Sequence, residues 1–504
     1  MKKVLCATYE GLNAKVVDVE STLTKGLPSF SIVGMASTSI TESKERVKSA
    51  LLSNNFSFPP KRITLSLSPS DLKKEGSHFD LSIALMIALN TQEDDFSQWF
   101  VFGELGLDGK VKETNILFPL LLSLANQQLL HKVIVPKQSL EKLSNIPNVS
   151  FYGVNSLNEA IELLNNQTNV KPSVVATSIK YPFIEFKQQK YYFIQHYRED
   201  FLDVKGQEVA KRAALISAVG FHNILFEGSP GCGKSMIAKR LRYILPPLSE
   251  SEVLDVAKLQ ALELQEPEFK PLRTMRSPHH SSTLASIFGG GSHKAQIGEV
   301  GLSHGGILFF DELPHFSKNV LEALREPMQD NRIRISRVNS KVEYPANFLF
   351  VAAMNPCPCG NLLHQHIECR CSDVEVQRYK NRLSDPFLDR IDLYVVMQSV
   401  SSEDKASLSS HEMHTMVIDA FSFAKQRSQK VPNAKLSDKD VEIFCILDEE
   451  ATTTLEMAID RFHLSLRSIV KIKKVARSIA DLAHSKTIKK PHLLEALSYR
   501  KRGI

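Results

Sequence analysis

The stretch Gly228-Ser229-Pro230-Gly231-Cys232-Gly233-Lys234-Ser235 constrains this chain more than any other. Glycine, four residues, then Gly-Lys-Ser is the full phosphate-binding loop pattern. Ile224-Leu225-Phe226 before it reads as a short buried strand, and a helix is expected to open near Ser235. In that setting the glycines let backbone N–H groups curl around phosphates. Lys234 reaches the β and γ phosphates, the Ser235 hydroxyl is placed to ligate Mg²⁺, and the helix start turns its positive end to the anion. A chance match in a glycine-rich turn would lack the strand before and the helix after.

A loop that binds nucleotide triphosphate needs acids to hold the metal and activate water. Ile307-Leu308-Phe309-Phe310-Asp311-Glu312 supplies both at the end of an apolar run. Central strands of parallel sheets are apolar throughout because both faces are buried, and ligands collect at their carboxyl ends. Asp311 is therefore expected to hold Mg²⁺ and Glu312 to polarise the attacking water. A third apolar run, Phe348 to Ala353, ends at Met354-Asn355-Pro356, where the Asn355 amide can orient that water; a plain turn-forming Asn before proline is the alternative.

The rest of the chain sorts around this α/β region. Residues 1–168 alternate strand-like and helical runs: Ile63 to Leu67, the helix expected over Asp80–Leu89, and Lys132 to Pro136. Polar residues from Asn165 to Ser178 mark a boundary, and 169–194 is expected to be a linker. The second α/β domain covers 195–396, and 397–504 is expected to be helical, with helices over Glu403–Gln426, Asp438–Phe444, Thr454–Arg461, Leu466–Leu482 and Lys490–Tyr499.

Composition excludes little. The net charge of +6 on 504 residues is small, but Arg461 to Ile504 carries 12 Lys or Arg against two acids, leaving −4 on the remainder. That asymmetry suggests either a polyanion partner or solvated lysines. The apolar run after Met1 dies at Tyr9-Glu10, and the longest one, Ile116 to Ala125, is too short to span a bilayer, so a cytoplasmic protein without membrane contact is expected. Seven cysteines are then thiols or metal ligands rather than disulfides. Cys357, Cys359, Cys369 and Cys371 form two close pairs, a spacing that suits a structural tetrahedral Zn²⁺ site, with His364 or His366 as substitute ligands. The alternative is a set of reduced cysteines around a proline-containing loop.

Taken together these residues resemble the AAA+ ATPases of the magnesium-chelatase-like branch, over nearly the whole chain. Val204-Lys205-Gly206-Gln207, Ser277-Pro278-His279-His280, Gly289-Gly290-Gly291 through Ile297-Gly298-Glu299, Ala353 through Gly360, Leu388-Asp389-Arg390-Ile391-Asp392 and Ser465-Leu466-Arg467 carry the likeness. They are most similar to the YifB/ComM subgroup, competence-associated proteins that act on DNA. The resemblance implies an AAA+ core with a parallel sheet and a helical lid domain, ATP and Mg²⁺ as cofactors, and assembly as a homo-hexamer. It also implies that Arg390 is the arginine finger supplied to a neighbouring subunit's ATP, and that Arg467 senses the γ phosphate. Without the resemblance, ordinary surface ion pairs would explain both arginines.

Residues 1–168 resemble the proteolytic domain of Lon proteases through Val101 to Leu105, Asp108 to Val111 and Val133 to Pro136. The Lon serine position falls on His78, with Ser77 one residue early, and the lysine position falls on Phe118, so a Lon-like fold without peptidase activity is expected.

Arg332 to Arg337 alternates basic and apolar residues, turns, and returns through Lys341-Val342-Glu343-Tyr344. This hairpin offers Arg332, Arg334, Arg337 and Lys341 to a phosphate backbone without reading sequence. Edge-protecting charges on a solvated hairpin would look the same. In related ring helicases a hairpin at this place enters the central pore. The expected function is thus an ATP-dependent hexameric DNA motor of branch-migration or helicase type, acting on single-stranded or branched DNA in natural transformation and homologous recombination. A magnesium-chelatase-type motor subunit and a protein-remodelling unfoldase are the alternatives.

Overall fold

Ile63, Leu65 and Leu67 alternate with polar residues, and Arg62–Ser68 is indeed a strand with those three side chains buried. It belongs to a seven-stranded mixed sheet in a computed structural model that describes residues 2–500 apart from 11–12, 57, 91–93, 168, 174–178, 291–295, 337–340, 365–366 and 402. In spatial order the strands are Ser29–Val33, Arg62–Ser68, Asn13–Thr24, Lys3–Glu10, Trp99–Val101, Lys132–Pro136 and Ser150–Val154. The last four run parallel to one another, and Asn13–Thr24 is antiparallel to both its neighbours. The Asp80–Ala88 helix is buried almost throughout, and its first residue takes a two-pronged ion pair from Arg46, at 2.7 and 3.1 Å.

The chain divides into two compact units, 1–180 with 254–269, and 181–253 with 270–504. Residues 254–269 lie within the expected ATPase span yet pack in the first unit. Leu254, Ala257 and Ala261 join its core, and Phe269 meets Phe118 edge-on at 5.3 Å. Part of the expected linker is also structured. Phe183–Phe186 and Gln189–Tyr192 form a hairpin that pairs with Leu248–Ser249 in the second unit, because Tyr191 and Tyr192 find burial there.

The second unit is built on five parallel strands in the order Met275–Arg276, Ile307–Phe310, Leu349–Met354, Ile224–Gly228 and Leu393–Met397. The three central ones are buried at every position, as a sheet covered on both faces requires. The non-sequential order brings the ends of Ile224–Gly228 and Leu349–Met354 side by side, which places two of the loops named above together.

The C-terminal helices pack in this same unit. Leu466–Leu482 turns Ile472, Val475, Ala476 and Ile479 inward at helical spacing. Several other boundaries moved. The helix expected from Glu403 begins at Ser410, where Ser409 and Glu412 close a capping box; residues 403–409 are irregular, with Ser407 accepting from Lys211 at 2.7 Å and the Lys405 carbonyl accepting from Gly206. The helix expected from Thr454 starts at Glu449, capped by Asp448, and that expected to end at Tyr499 ends at Ser498. No helix among the described residues is long and apolar enough to cross a membrane.

Asp481 is the buried hub of this helical part. It accepts from Arg427 at 2.5 and 2.8 Å, from Arg477 at 3.0 Å and from Asn433 at 2.8 Å. Removing one partner of such a network strands the other buried charges. Asp481→Ala should therefore destabilise the protein by about 3–5 kcal/mol, read as a lower midpoint in denaturant unfolding; an unchanged midpoint would contradict the network's role.

Candidate nucleotide and metal sites

The phosphate loop begins where Ile224–Gly228 ends, and the Lys234–Leu241 helix follows it. Gly231 and Gly233 have φ of +80° and +94°, in the left-handed region that favours glycine. Gly228 is needed for space, since a Cβ there would lie 2.7 Å from the Cys232 sulfur. The Lys234 ammonium donates to the Gly228 and Ser229 carbonyls at 2.6 and 2.9 Å and to Asn355 Oδ1 at 3.1 Å. Burial pulls this ammonium below its usual range, opposed by Cys232 and Asp311.

Ser235 donates its hydroxyl to Asp311 Oδ2 at 2.7 Å, and Asp311 Oδ1 accepts from the Glu312 N–H at 3.0 Å. The two residues expected to share Mg²⁺ are thus in contact. Glu312 sits in the left-handed region, with φ of +51°, and its half-exposed carboxylate lies 4.0 Å from His280 Nε2. Lys234, Ser235, Asp311 and Asn355 therefore form one connected group at the carboxyl ends of three neighbouring strands, with Glu312 beside it. A triphosphate with Mg²⁺ fits the chemistry of this donor set.

The arginines lie elsewhere. Asn223, just ahead of the Ile224–Gly228 strand, donates its amide to the Arg390 carbonyl at 2.9 Å and accepts from the Phe350 N–H at 3.0 Å. This anchors Arg390 at the amino end of the sheet, while Lys234 stands beyond the carboxyl end. Five strand residues at about 3.3 Å each separate those ends by roughly 16 Å. Arg390 Nη2 and Arg467 Nη2 both donate to Gln329 Oε1, at 3.0 and 3.5 Å, and Arg467 pairs with Asp389 at 3.0 Å. Burial, then the like charges of Arg467 and Arg325, lower the Arg390 guanidinium from its usual value. Like charges held together in this way suit an anion brought from outside the chain's own phosphate loop.

Arg332–Ser336 and Lys341–Pro345 form the expected antiparallel hairpin. Ile333 and Tyr344 are buried, so Arg332 and Arg334 project on the exposed side. Neither is unengaged: both pair with Glu343, at 3.4 and 2.9 Å. Arg337 lies outside the described residues, and so does the side chain of Lys341. Of the expected insertion, Gly289–Gly290 pairs with Gln296–Ile297, and Gly291 lies outside the described residues.

Among the described residues, Cys357, Cys359, Cys369 and Cys371 bring their sulfurs within 4.8 Å of one another. Three of the separations are 3.4, 3.6 and 3.6 Å. A metal bound to four thiolates at 2.3 Å sets sulfurs about 3.8 Å apart. The four residues can hold a metal ion. His364 Nδ1 accepts instead from the Ile367 N–H at 3.1 Å, and His366 is outside the described residues.

Three family models match the chain. "Magnesium chelatase, subunit ChlI" matches residues 200–405, "Subunit ChlI of Mg-chelatase" matches 19–139, and "Magnesium chelatase, subunit ChlI C-terminal" matches 407–500. The Competence protein ComM of Haemophilus influenzae is 37% identical over 97% of this chain and 95% of its own length. The chain belongs to the YifB/ComM subgroup of magnesium-chelatase-like AAA+ ATPases. YifB of Escherichia coli is 35% identical, again over 97% of this chain and 95% of its own. The magnesium-chelatase 67 kDa subunit of Heliobacterium mobile is 24% identical over only 38% of this chain and 35% of its own. Membership in this AAA+ family implies ATPase activity with ATP and Mg²⁺.

In the first unit, Phe118 is core, Ser77 donates its hydroxyl to Glu104, and buried His78 meets the Ala7 carbonyl at 2.8 Å. Sequence reasoning missed Asn223 and Gln329, and gave His280, within its quoted Ser277–His280 motif, no role at the site. Asn223 stands next to a legible strand, so its place was in reach; nothing in the sequence singles out Gln329.

Lys234→Ala should abolish tight ATP binding, whereas Glu312→Gln should bind ATP and lose turnover, by roughly a hundredfold or more. Nucleotide titration with steady-state ATPase assays checks both. Near wild-type turnover in either variant would contradict the assignment.

Proposed function

We propose that this chain is an ATP-driven, hexameric DNA motor of branch-migration or helicase type, working in natural transformation and homologous recombination. The observation that carries the hydrolytic part is the placement of Arg390 and Arg467 together, at the end of the sheet opposite Lys234. In this reading ATP and Mg²⁺ sit on the phosphate loop. Lys234 turns from its carbonyl partners to the β and γ phosphates, Ser235 and Asp311 hold the metal, and Glu312 and Asn355 position water. The transition-state charge is met by Arg390, with Arg467 beside it, from a neighbouring subunit. Closed rings repeat such a head-to-tail contact without leaving an unfilled site.

DNA as the substrate rests on the exposed arginines of the hairpin and on the competence role in the name of the Haemophilus influenzae relative. Arg332 and Arg334 exchange Glu343 for phosphate oxygens, releasing counterions from the strand. The chelatase-motor reading draws on the family models alone, and the short match to the 67 kDa subunit weighs against it. The first unit acts without peptidase chemistry, since Phe118 supplies no base. The four thiolates hold a structural Zn²⁺.

Forked or four-way DNA should raise the ATPase rate several-fold. Arg332→Ala with Arg334→Ala should weaken DNA binding at low salt and flatten its salt dependence by about two units of slope. Glu343→Gln should strengthen binding. An ATPase indifferent to every DNA form, with unchanged salt dependence in the double variant, would remove DNA from the account.

A further inference from the structure

The cysteine loop joins the nucleotide site at three places. The first is covalent: the Leu349–Met354 strand delivers Asn355, which receives Lys234, and two residues later reaches fully buried Cys357. The second is steric. Gly360 follows Cys359 with φ of +82°, and a Cβ on it would lie 2.7 Å from Pro230 Cδ and 2.8 Å from Pro230 Cγ. Loop backbone therefore rests directly against the proline of the phosphate loop. The third is a helix. Ser372, next after Cys371, forms a capping box that starts Asp373–Lys380. Near that helix's end Tyr379 is buried, and Lys380 reaches Glu227 at 3.4 Å. Glu227 is almost wholly buried, also takes the Tyr394 hydroxyl, and immediately precedes Gly228.

Both ends of the cysteine loop thus lead back to the phosphate loop, one through Asn355 and one through Lys380. Among the described residues of this loop, Cys359 is exposed, Cys369 and Cys371 are half-buried, and Leu362 and Ile367 are exposed apolar side chains, so core packing orders these five little. A four-thiolate metal would supply the missing order, because ligand binding to such a site is local folding free energy.

We propose that a four-thiolate Zn²⁺ at Cys357, Cys359, Cys369 and Cys371 braces the phosphate loop through Gly360 and the Asp373–Lys380 helix, so that zinc and nucleotide bind with positive coupling. The proposal rests on the ATP reading of Lys234 and adds a regulator to that site. Coupling is reciprocal: if zinc orders the loop against which nucleotide is held, nucleotide must retain zinc. Gly360 is the contact through which it passes most directly, and it ligates neither partner by a side chain.

The test uses the full chain as purified, with zinc counted by elemental analysis and its release to a chromophoric chelator timed with and without a non-hydrolysable ATP analogue and Mg²⁺. Analogue binding is measured separately by direct titration. About one zinc per chain is expected, and the analogue should slow release roughly fivefold or more in the wild type and leave Lys234→Ala unaffected. Gly360→Ala should keep its zinc and bind the analogue about tenfold more weakly. Less than about half a zinc per chain would overturn the metal site. Equal release rates with the analogue demonstrably bound, or unchanged analogue affinity in Gly360→Ala, would overturn the brace. A wild type that binds no analogue, zinc present or not, would remove the ATP reading itself and the coupling with it.

Discussion

Lys234 carries a positive charge into a place where only 8% of its surface meets solvent, and the second unit is organised around satisfying that charge. An ammonium so placed loses hydration that only fixed acceptors can replace. Gly228 and Ser229 provide carbonyls because left-handed glycines bend the loop back over the lysine, and Asn355 provides its amide oxygen because a parallel strand ends beside it. A third strand brings Asp311 to the hydroxyl of the next residue, Ser235. Asn355 and Asp311 come into reach only through the strand order, so the site is a property of the sheet as well as of the loop motif.

The same sheet explains why the arginines are remote. Strands deliver one set of groups at their carboxyl ends and another at their amino ends, and Asn223 ties Arg390 to the latter. In the proposed mechanism this polarity makes hydrolysis a two-subunit event: each chain carries half of two sites. The hairpin that follows Gln329 begins three residues after the amide shared by the two arginines. A change of contact at Arg390 or Arg467 therefore has a short covalent path to Arg332. This is the physical link proposed between ATP turnover and DNA movement.

Much of this was legible in the sequence where one physical cause dominates. The buried strands ending in Gly228, Asp311 and Asn355 are continuous apolar runs, and burial on both faces leaves few other readings. Helices such as Leu466–Leu482 were readable because an amphipathic face runs along them. Tertiary partners were not. Leu254, Ala257 and Ala261 look like any helical face, and nothing local says which core receives them. Glu403 to Ser409 has helical composition, but Ser407 and the Lys405 carbonyl find partners in the 205–211 region and the chain stays irregular. Arg332 and Arg334 were read as basic, and their sharing of Glu343 depends on hairpin register. The cysteines showed a metal-like spacing, while the approach of Gly360 to Pro230 is a contact between loops 130 residues apart, which spacing cannot reveal.

The central claim is that the phosphate site of one subunit is completed by Arg390 of another, and a mixing experiment addresses it most directly. Lys234→Ala lacks a working phosphate loop but keeps its arginine; Arg390→Ala keeps the loop and lacks the arginine. Each alone should be inactive as an ATPase, and chains co-expressed and purified together should regain activity at the junctions where an intact loop faces an intact Arg390. Co-assembled chains as inactive as either variant alone, or Arg390→Ala turning over ATP at the wild-type rate, would contradict the account.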